Sequence, residues 1–165
     1  MKFKALAAAV ILSIATAARV YSFGLGAQFN FSAGDIFAPG AALVISPSDM
    51  THLAMNWYLD FNRVNIIGLT LDVCPVDLSI ASFGAGSFNF TLGVGIFANA
   101  IFAGDLDLGI NGGLRAPVGF SLLLGQKTFE IYTHVAPSFG VTMLPSLGLS
   151  KPFFPIALGA RFWFR

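Results

Sequence analysis

From Leu106 onward every second residue is apolar or small: Leu106, Leu108, Ile110, Gly112, Leu114, Ala116, Val118, Phe120 and Leu122. The residues between them, Asp107, Gly109, Asn111, Gly113, Arg115, Pro117, Gly119 and Ser121, hold every charge of the stretch. Successive side chains of a strand point to opposite faces, so a period of two predicts one strand over Leu106–Leu124, apolar on one face and polar on the other. Strands of soluble domains usually run about five or six residues. A strand that crosses a bilayer needs about nine to eleven tilted residues, with alternate side chains toward lipid and interior. The length and the alternation together point to the second setting.

The same pattern recurs along the chain. Phe23–Ser32 sets Phe23, Leu25, Ala27, Phe29 and Phe31 against Gly24, Gly26, Gln28, Asn30 and Ser32. Gly40–Ser46 is the weakest candidate, since Ala41, Ala42, Leu43, Val44 and Ile45 show no polar register, and it ends at the turn-forming Pro47-Ser48-Asp49. Thr51–Asp60 sets Leu53, Met55, Trp57 and Leu59 against His52, Ala54, Asn56, Tyr58 and Asp60. Val64–Cys74 sets Ile67, Leu69, Leu71 and Val73 against Gly68, Thr70 and Asp72, and Pro75, with no amide proton to give a ladder, predicts its end. Ser87–Ala98, Leu106–Leu124, Thr128–Val141 and Pro155–Phe164 follow, with 76–86 undetermined and loops expected over Asn99–Asp105 and Leu144–Phe154.

These segments predict an all-β fold, an eight-stranded antiparallel up-and-down transmembrane β-barrel. Eight is even and is the smallest number that closes in a membrane. Closure matters because an unpaired backbone group in lipid costs several kcal/mol. Pro117 predicts a bulge or local break in the sixth ladder.

Composition raises a competing reading. Hydrophobic residues make up 56% of the 165, mean hydropathy is +0.78, and Leu78–Gly104 holds no charge over 27 residues. Such a window is long enough for a spanning helix. Inside it, however, Phe88, Phe90, Leu92, Val94 and Ile96 alternate with Asn89, Thr91, Gly93 and Gly95, and the glycines disfavour a helix. The strand reading prevails.

The start, Met1-Lys2-Phe3-Lys4 followed by uncharged Ala5–Ala17 and then Val20-Tyr21-Ser22, has the form of a secretory signal. It predicts a cleaved signal peptide over 1–22 and a barrel over 23–165. Without Lys2, Lys4 and Arg19 the mature chain holds six basic against eight acidic residues, which argues against a nucleic-acid partner. Cys74 is the single cysteine, so no internal disulfide forms.

Charge placement is the sharper test of the barrel. Asp72, Asp107, Arg115, Glu130 and Arg161 all fall in the inward register, and no outward position is charged. An Arg or Lys on the lipid side at mid-bilayer would cost about 2–4 kcal/mol. Interior glycines alternate with Tyr58, Arg115, Tyr132, Arg161 and Trp163, which predicts a filled interior with Arg115 and Arg161 paired to Glu130, Asp72 or Asp107. With both termini periplasmic, Phe23, Phe88, Phe90, Phe120, Phe129, Phe162 and Phe164 form an aromatic girdle at that rim.

Catalytic chemistry is weakly encoded. Glu130, His134 and Ser138 share one register within nine residues, and some eight-stranded barrels modify lipid A with Ser/His chemistry. In this chain the three face the interior, away from a lipid substrate. There is no HExxH and no CxxC, so no catalytic, metal or cofactor site is expected.

Four runs carry a resemblance: Leu92-Gly93-Val94-Gly95; Gly113-Leu114-Arg115-Ala116-Pro117-Val118-Gly119-Phe120; Phe129-Glu130-Ile131-Tyr132 with Val135-Ala136-Pro137; and Leu158-Gly159-Ala160-Arg161-Phe162-Trp163-Phe164. From Phe88 to Arg165 the chain resembles the small spirochaetal outer-membrane β-barrel family, OmpA- and OmpW-like in architecture. The resemblance implies localisation in the bacterial outer membrane, surrounded by outer-membrane lipid and placed there by the barrel-assembly machinery. It also implies a structural or surface role with a host-protein partner, or an OmpW-like, porin-like passage for a small hydrophobic ligand. The short outer connections do not favour a large loop-built binding surface.

Overall fold

The computed structural model describes residues 22–33, 39–59, 64–103 and 107–164. Among them the elements are ten strands and no helix: β1 (Phe23–Ala33), β2 (Gly40–Ser48), β3 (Thr51–Leu59), β4 (Val64–Phe83), β5 (Gly86–Ala103), β6 (Asp107–Arg115), β7 (Val118–Leu124), β8 (Phe129–Val135), β9 (Ser138–Leu144) and β10 (Gly148–Phe164). The pairs are antiparallel, β1 through β5 pair in sequence order, and β10 pairs with β1 from Phe154↔Ala33 to Phe164↔Phe23.

Ten strands replace the expected eight because two of the eight are cut at prolines. β5 pairs first with β6, from Ala103↔Asp107 to Gly95↔Arg115, and then with β7, from Leu92↔Val118 to Gly86↔Leu124. β6 and β7 therefore share one position beside β5, divided at Ala116-Pro117. β8 and β9 likewise share one position beside β10, divided at Ala136-Pro137. The breaks align across neighbouring strands. Gly93 N donates to Pro117 O at 2.8 Å, Ala116 N to Pro137 O at 3.0 Å, and Ala136 N to Pro155 O at 2.8 Å. A proline lacks the donor but keeps its carbonyl, so each interruption is accepted by the strand alongside.

Several expected boundaries are corrected. Pro75 does not end β4, which passes it through a register shift between Val73 and Val76 and continues to Phe83. A bulge is where a strand can hold a residue that cannot donate. The expected loop at Asn99–Asp105 is strand as far as Ala103, paired to Val64. The last strand begins at Gly148, not Pro155, and absorbs Lys151 and Pro152 across a shift between Ser150 and Phe153. The expected strand at Gly40–Ser46 extends to Ser48; its missing polar register reflects Ala42 and Val44 packing inward against Ala54. The expected signal peptide over 1–22, apart from Ser22, and residues 34–38, 60–63 and 104–106 lie outside the described residues, as does Arg165.

The two faces differ in the sense the alternation predicts. Outward Trp57 and Val94 are 56% and 66% exposed, and Met55, Leu69, Leu114 and Phe139 are also exposed. Inward Asn30, Asn56, Thr70, Asn89 and Asn111 are buried. A water-soluble sheet hides apolar residues and shows polar ones, so this reversed arrangement marks a wall facing lipid. We expect Leu69→Arg to lower unfolding free energy in lipid vesicles by about 2–4 kcal/mol, and Leu149→Arg, at the exposed start of β10, to change it little. Denaturant titration of the refolded protein measures both.

Candidate functional site: the interior charge network

Arg161 is the hub of the interior. Its strand β10 runs beside β8 in the register Arg161↔Glu130, which sets the two side chains next to each other on the inward face. Arg161 Nη2 lies 2.9 Å from Glu130 Oε1 and Nε donates to Oε2 at 3.1 Å, a two-pronged pair. Trp163 Nε1 donates to the same Oε2 at 2.7 Å. Arg161 Nη1 donates to Ser46 Oγ at 3.0 Å and is bonded to His52 Nδ1. The guanidinium carbon lies 4.3 Å from the Tyr132 ring centre and 5.3 Å from that of Trp163, both within cation–π range.

Arg115 and Asp72 are two strands apart, on β6 and β4, with β5 between them. Gly95 pairs with Asp72 on one side and with Arg115 on the other. Because Gly95 has no side chain, Arg115 reaches across it to Asp72, Nε to Oδ1 at 3.1 Å; a Cβ at Gly95 would collide with that carboxylate. The approach lacks hydrogen-bond alignment, so it is a looser pair than that of Arg161. Arg115 Nη2 also lies 3.3 Å from His134 Nε2.

The same device recurs at Gly159, which pairs with Gln28 and Tyr132 on its two sides. Tyr132 Oη donates to Gln28 Oε1 at 2.8 Å across it, and a Cβ there would lie 2.5 Å from the tyrosine ring. Gln28 Nε2 then donates to Asn30 Oδ1 at 2.7 Å, and Asn30 Nδ2 to Asn56 Oδ1 at 2.8 Å. Nearer β6, Asn99 Nδ2 donates to Asn111 Oδ1 at 2.9 Å.

Of the residues singled out in the sequence, Asp72, Arg115, Glu130 and Arg161 lie in the interior as two pairs. Asp107 opens β6 opposite Ala103, and its side chain lies outside the described part. Glu130, His134 and Ser138 do not assemble into a relay: Glu130 binds Arg161 and Trp163, His134 meets Arg115, and Ser138 Oγ donates to Ala136 O at 2.7 Å. The seven phenylalanines form two groups. Phe88 stacks on Phe120 at 5.4 Å and Phe90 meets Phe120 edge to face at 5.6 Å; Phe162 and Phe23 flank Phe164 at 5.3 and 6.1 Å, with Phe129 opposite Phe162. Sequence reading missed the amide chain Gln28–Asn30–Asn56 and the parts played by His52 and Ser46. The signal available was their shared inward register, but which of them meet depends on strand neighbours.

The space left inside is small. Cavities of about 20, 40 and 80 Å³ lie among these side chains, the last beside Asp49, Lys127 and Trp163. Each has room for water and not for a larger solute.

No protein-family model and no curated protein matches the chain. Among solved structures, the N-terminal β-barrel domain of Pseudomonas aeruginosa OprF is similar with a TM-score of 0.53 at 19% identity, covering 87% of this chain and 97% of that one. The fold is that of an outer-membrane β-barrel. Ail, the attachment invasion locus protein of Yersinia pestis, matches over the same shares of the two chains at 13% identity with a TM-score of 0.39, too low to carry weight.

Removing Arg161 would leave Glu130 buried without its counter-charge. Arg161→Met is expected to cost about 3–5 kcal/mol in unfolding free energy, with much of that recovered in Arg161→Met/Glu130→Met. Gly159→Ala, which drives a methyl into Tyr132, is expected to cost about 1–3 kcal/mol. Denaturant titration in vesicles, with a double-mutant cycle for the pair, measures these effects.

Proposed function

We propose that this chain is a small, non-enzymatic outer-membrane β-barrel protein with a non-conducting interior and a structural or surface-binding role. In this reading the signal peptide over 1–22 exports it, the barrel-assembly machinery inserts it, and outer-membrane lipid surrounds its apolar wall. A host protein or a small hydrophobic ligand is the partner at the cell surface.

The observation that carries this reading is the Arg161 hub. A solute crossing the interior would have to displace a charged group that holds Glu130, Ser46 and His52 together. Leaving any of these buried groups unpaired costs energy, and the residual cavities have room for nothing larger than water. The geometry therefore gives no support to an OmpW-like conduit.

The test is reconstitution of the mature chain. A heat-dependent shift in gel mobility, a β-type far-UV circular dichroism spectrum and no single-channel steps in planar bilayers are the expected results. Steady conductance of the unmutated protein would overturn the plug, and a helical spectrum without a heat shift would overturn the barrel.

A further inference from the structure

Backbone pairing has an exception in β4. β3 accompanies it as far as Thr51↔Val73, after which Cys74 N donates to Met50 O at 2.7 Å beside the β2–β3 turn. β4 then continues to Phe83, paired with β5 on one side down to Phe83↔Gly86. Among the described residues no strand pairs with its other side, so Val76–Phe83 is an open edge. Leu78 and Ile80 on it are 59% and 58% exposed, and Phe83 is exposed as well. The segment Val-Asp-Leu-Ser-Ile-Ala-Ser-Phe holds no proline and no lysine, two residues that blunt a natural edge; its protection is limited to Asp77 and a register shift between Ser79 and Ala81.

Neither lipid nor water suits this edge. In lipid its unpaired N–H and C=O groups would each cost several kcal/mol. In water a long apolar edge is a template for pairing with another strand. A polypeptide strand satisfies the backbone and covers the apolar side chains at once.

We propose that Val76–Phe83 is a β-strand addition site for an extended segment of a water-soluble polypeptide on the side of the membrane where β1 begins and β10 ends. The inference rests on the outer-membrane reading above. The added strand runs antiparallel to β4 and continues the β3–β4 ladder beyond the β2–β3 turn. Asp77, whose Oδ1 accepts from Asn89 Nδ2 at 2.8 Å, is the one charge along the edge and selects a basic residue opposite it. A second copy fits less well. Two copies in one membrane are related by an axis along the membrane normal, and strands tilted by about 35–45° from it would then cross instead of lying side by side.

The test uses the mature chain folded in detergent micelles and a fluorescent synthetic peptide of alternating valine and threonine with one lysine. Saturable binding by anisotropy is expected, together with slowed amide exchange confined to Val76–Phe83. Leu78→Lys/Ile80→Lys, which changes two exposed side chains, is expected to weaken binding about tenfold or more while the heat-dependent gel shift persists. An intact gel shift with no saturable binding overturns the edge site alone. Loss of the gel shift in the unmutated protein overturns the barrel and the site with it. Protection of the same amides that rises with protein concentration and needs no peptide assigns the edge to a second copy and also overturns the proposal.

Discussion

A sheet whose outer face is apolar has no solvent on that face to satisfy its backbone, so each strand must find hydrogen-bond partners on both sides. The arrangement of the described strands follows from this. β1 takes β10 as well as β2, β5 takes β6 and β7 in succession, and β10 takes β9 and β8. The prolines are tolerated under the same constraint. Pro117, Pro137 and Pro155 each offer a carbonyl to the amide of a neighbouring strand, so breaks that would be costly singly fall in register with one another. The open edge of β4 stands out against this background.

The interior obeys a second constraint, that buried charge must be compensated. A small barrel has little room, and large side chains fit only where their neighbours are small. Glycine supplies the room in a directional way. Gly95 lets Arg115 reach over an intervening strand to Asp72, and Gly159 lets Tyr132 reach over β10 to Gln28. Each link joins three adjacent strands, so the side-chain network fixes strand neighbours as well as filling space. Arg161 does the same on a larger scale, connecting β10 to Glu130 on β8, Ser46 on β2 and His52 on β3.

Much of this was legible in the chain itself. Alternation at Phe23–Ser32, Thr51–Asp60 and Leu106–Leu124 identified strands and their inward faces, because a period of two follows from strand geometry alone. The same register put Asp72, Arg115, Glu130 and Arg161 on the inside. Gly40–Ser46 was harder, since its inward residues Ala42 and Val44 are as apolar as its outward ones. Proline was the main source of error at boundaries. Pro75 and Pro155 read as strand ends and Pro152 as part of a loop, yet each lies within a strand close to a register shift that a single strand does not announce.

The sequence by itself determined the strand type, the two-faced wall and the inward charges, because these depend on local geometry and on the cost of charge in lipid. Only the tertiary structure decided which charges pair, which glycines are bridged, and where β4 outruns its neighbour. Those outcomes depend on the stagger between strands distant in sequence, which is set when all the ladders are satisfied together.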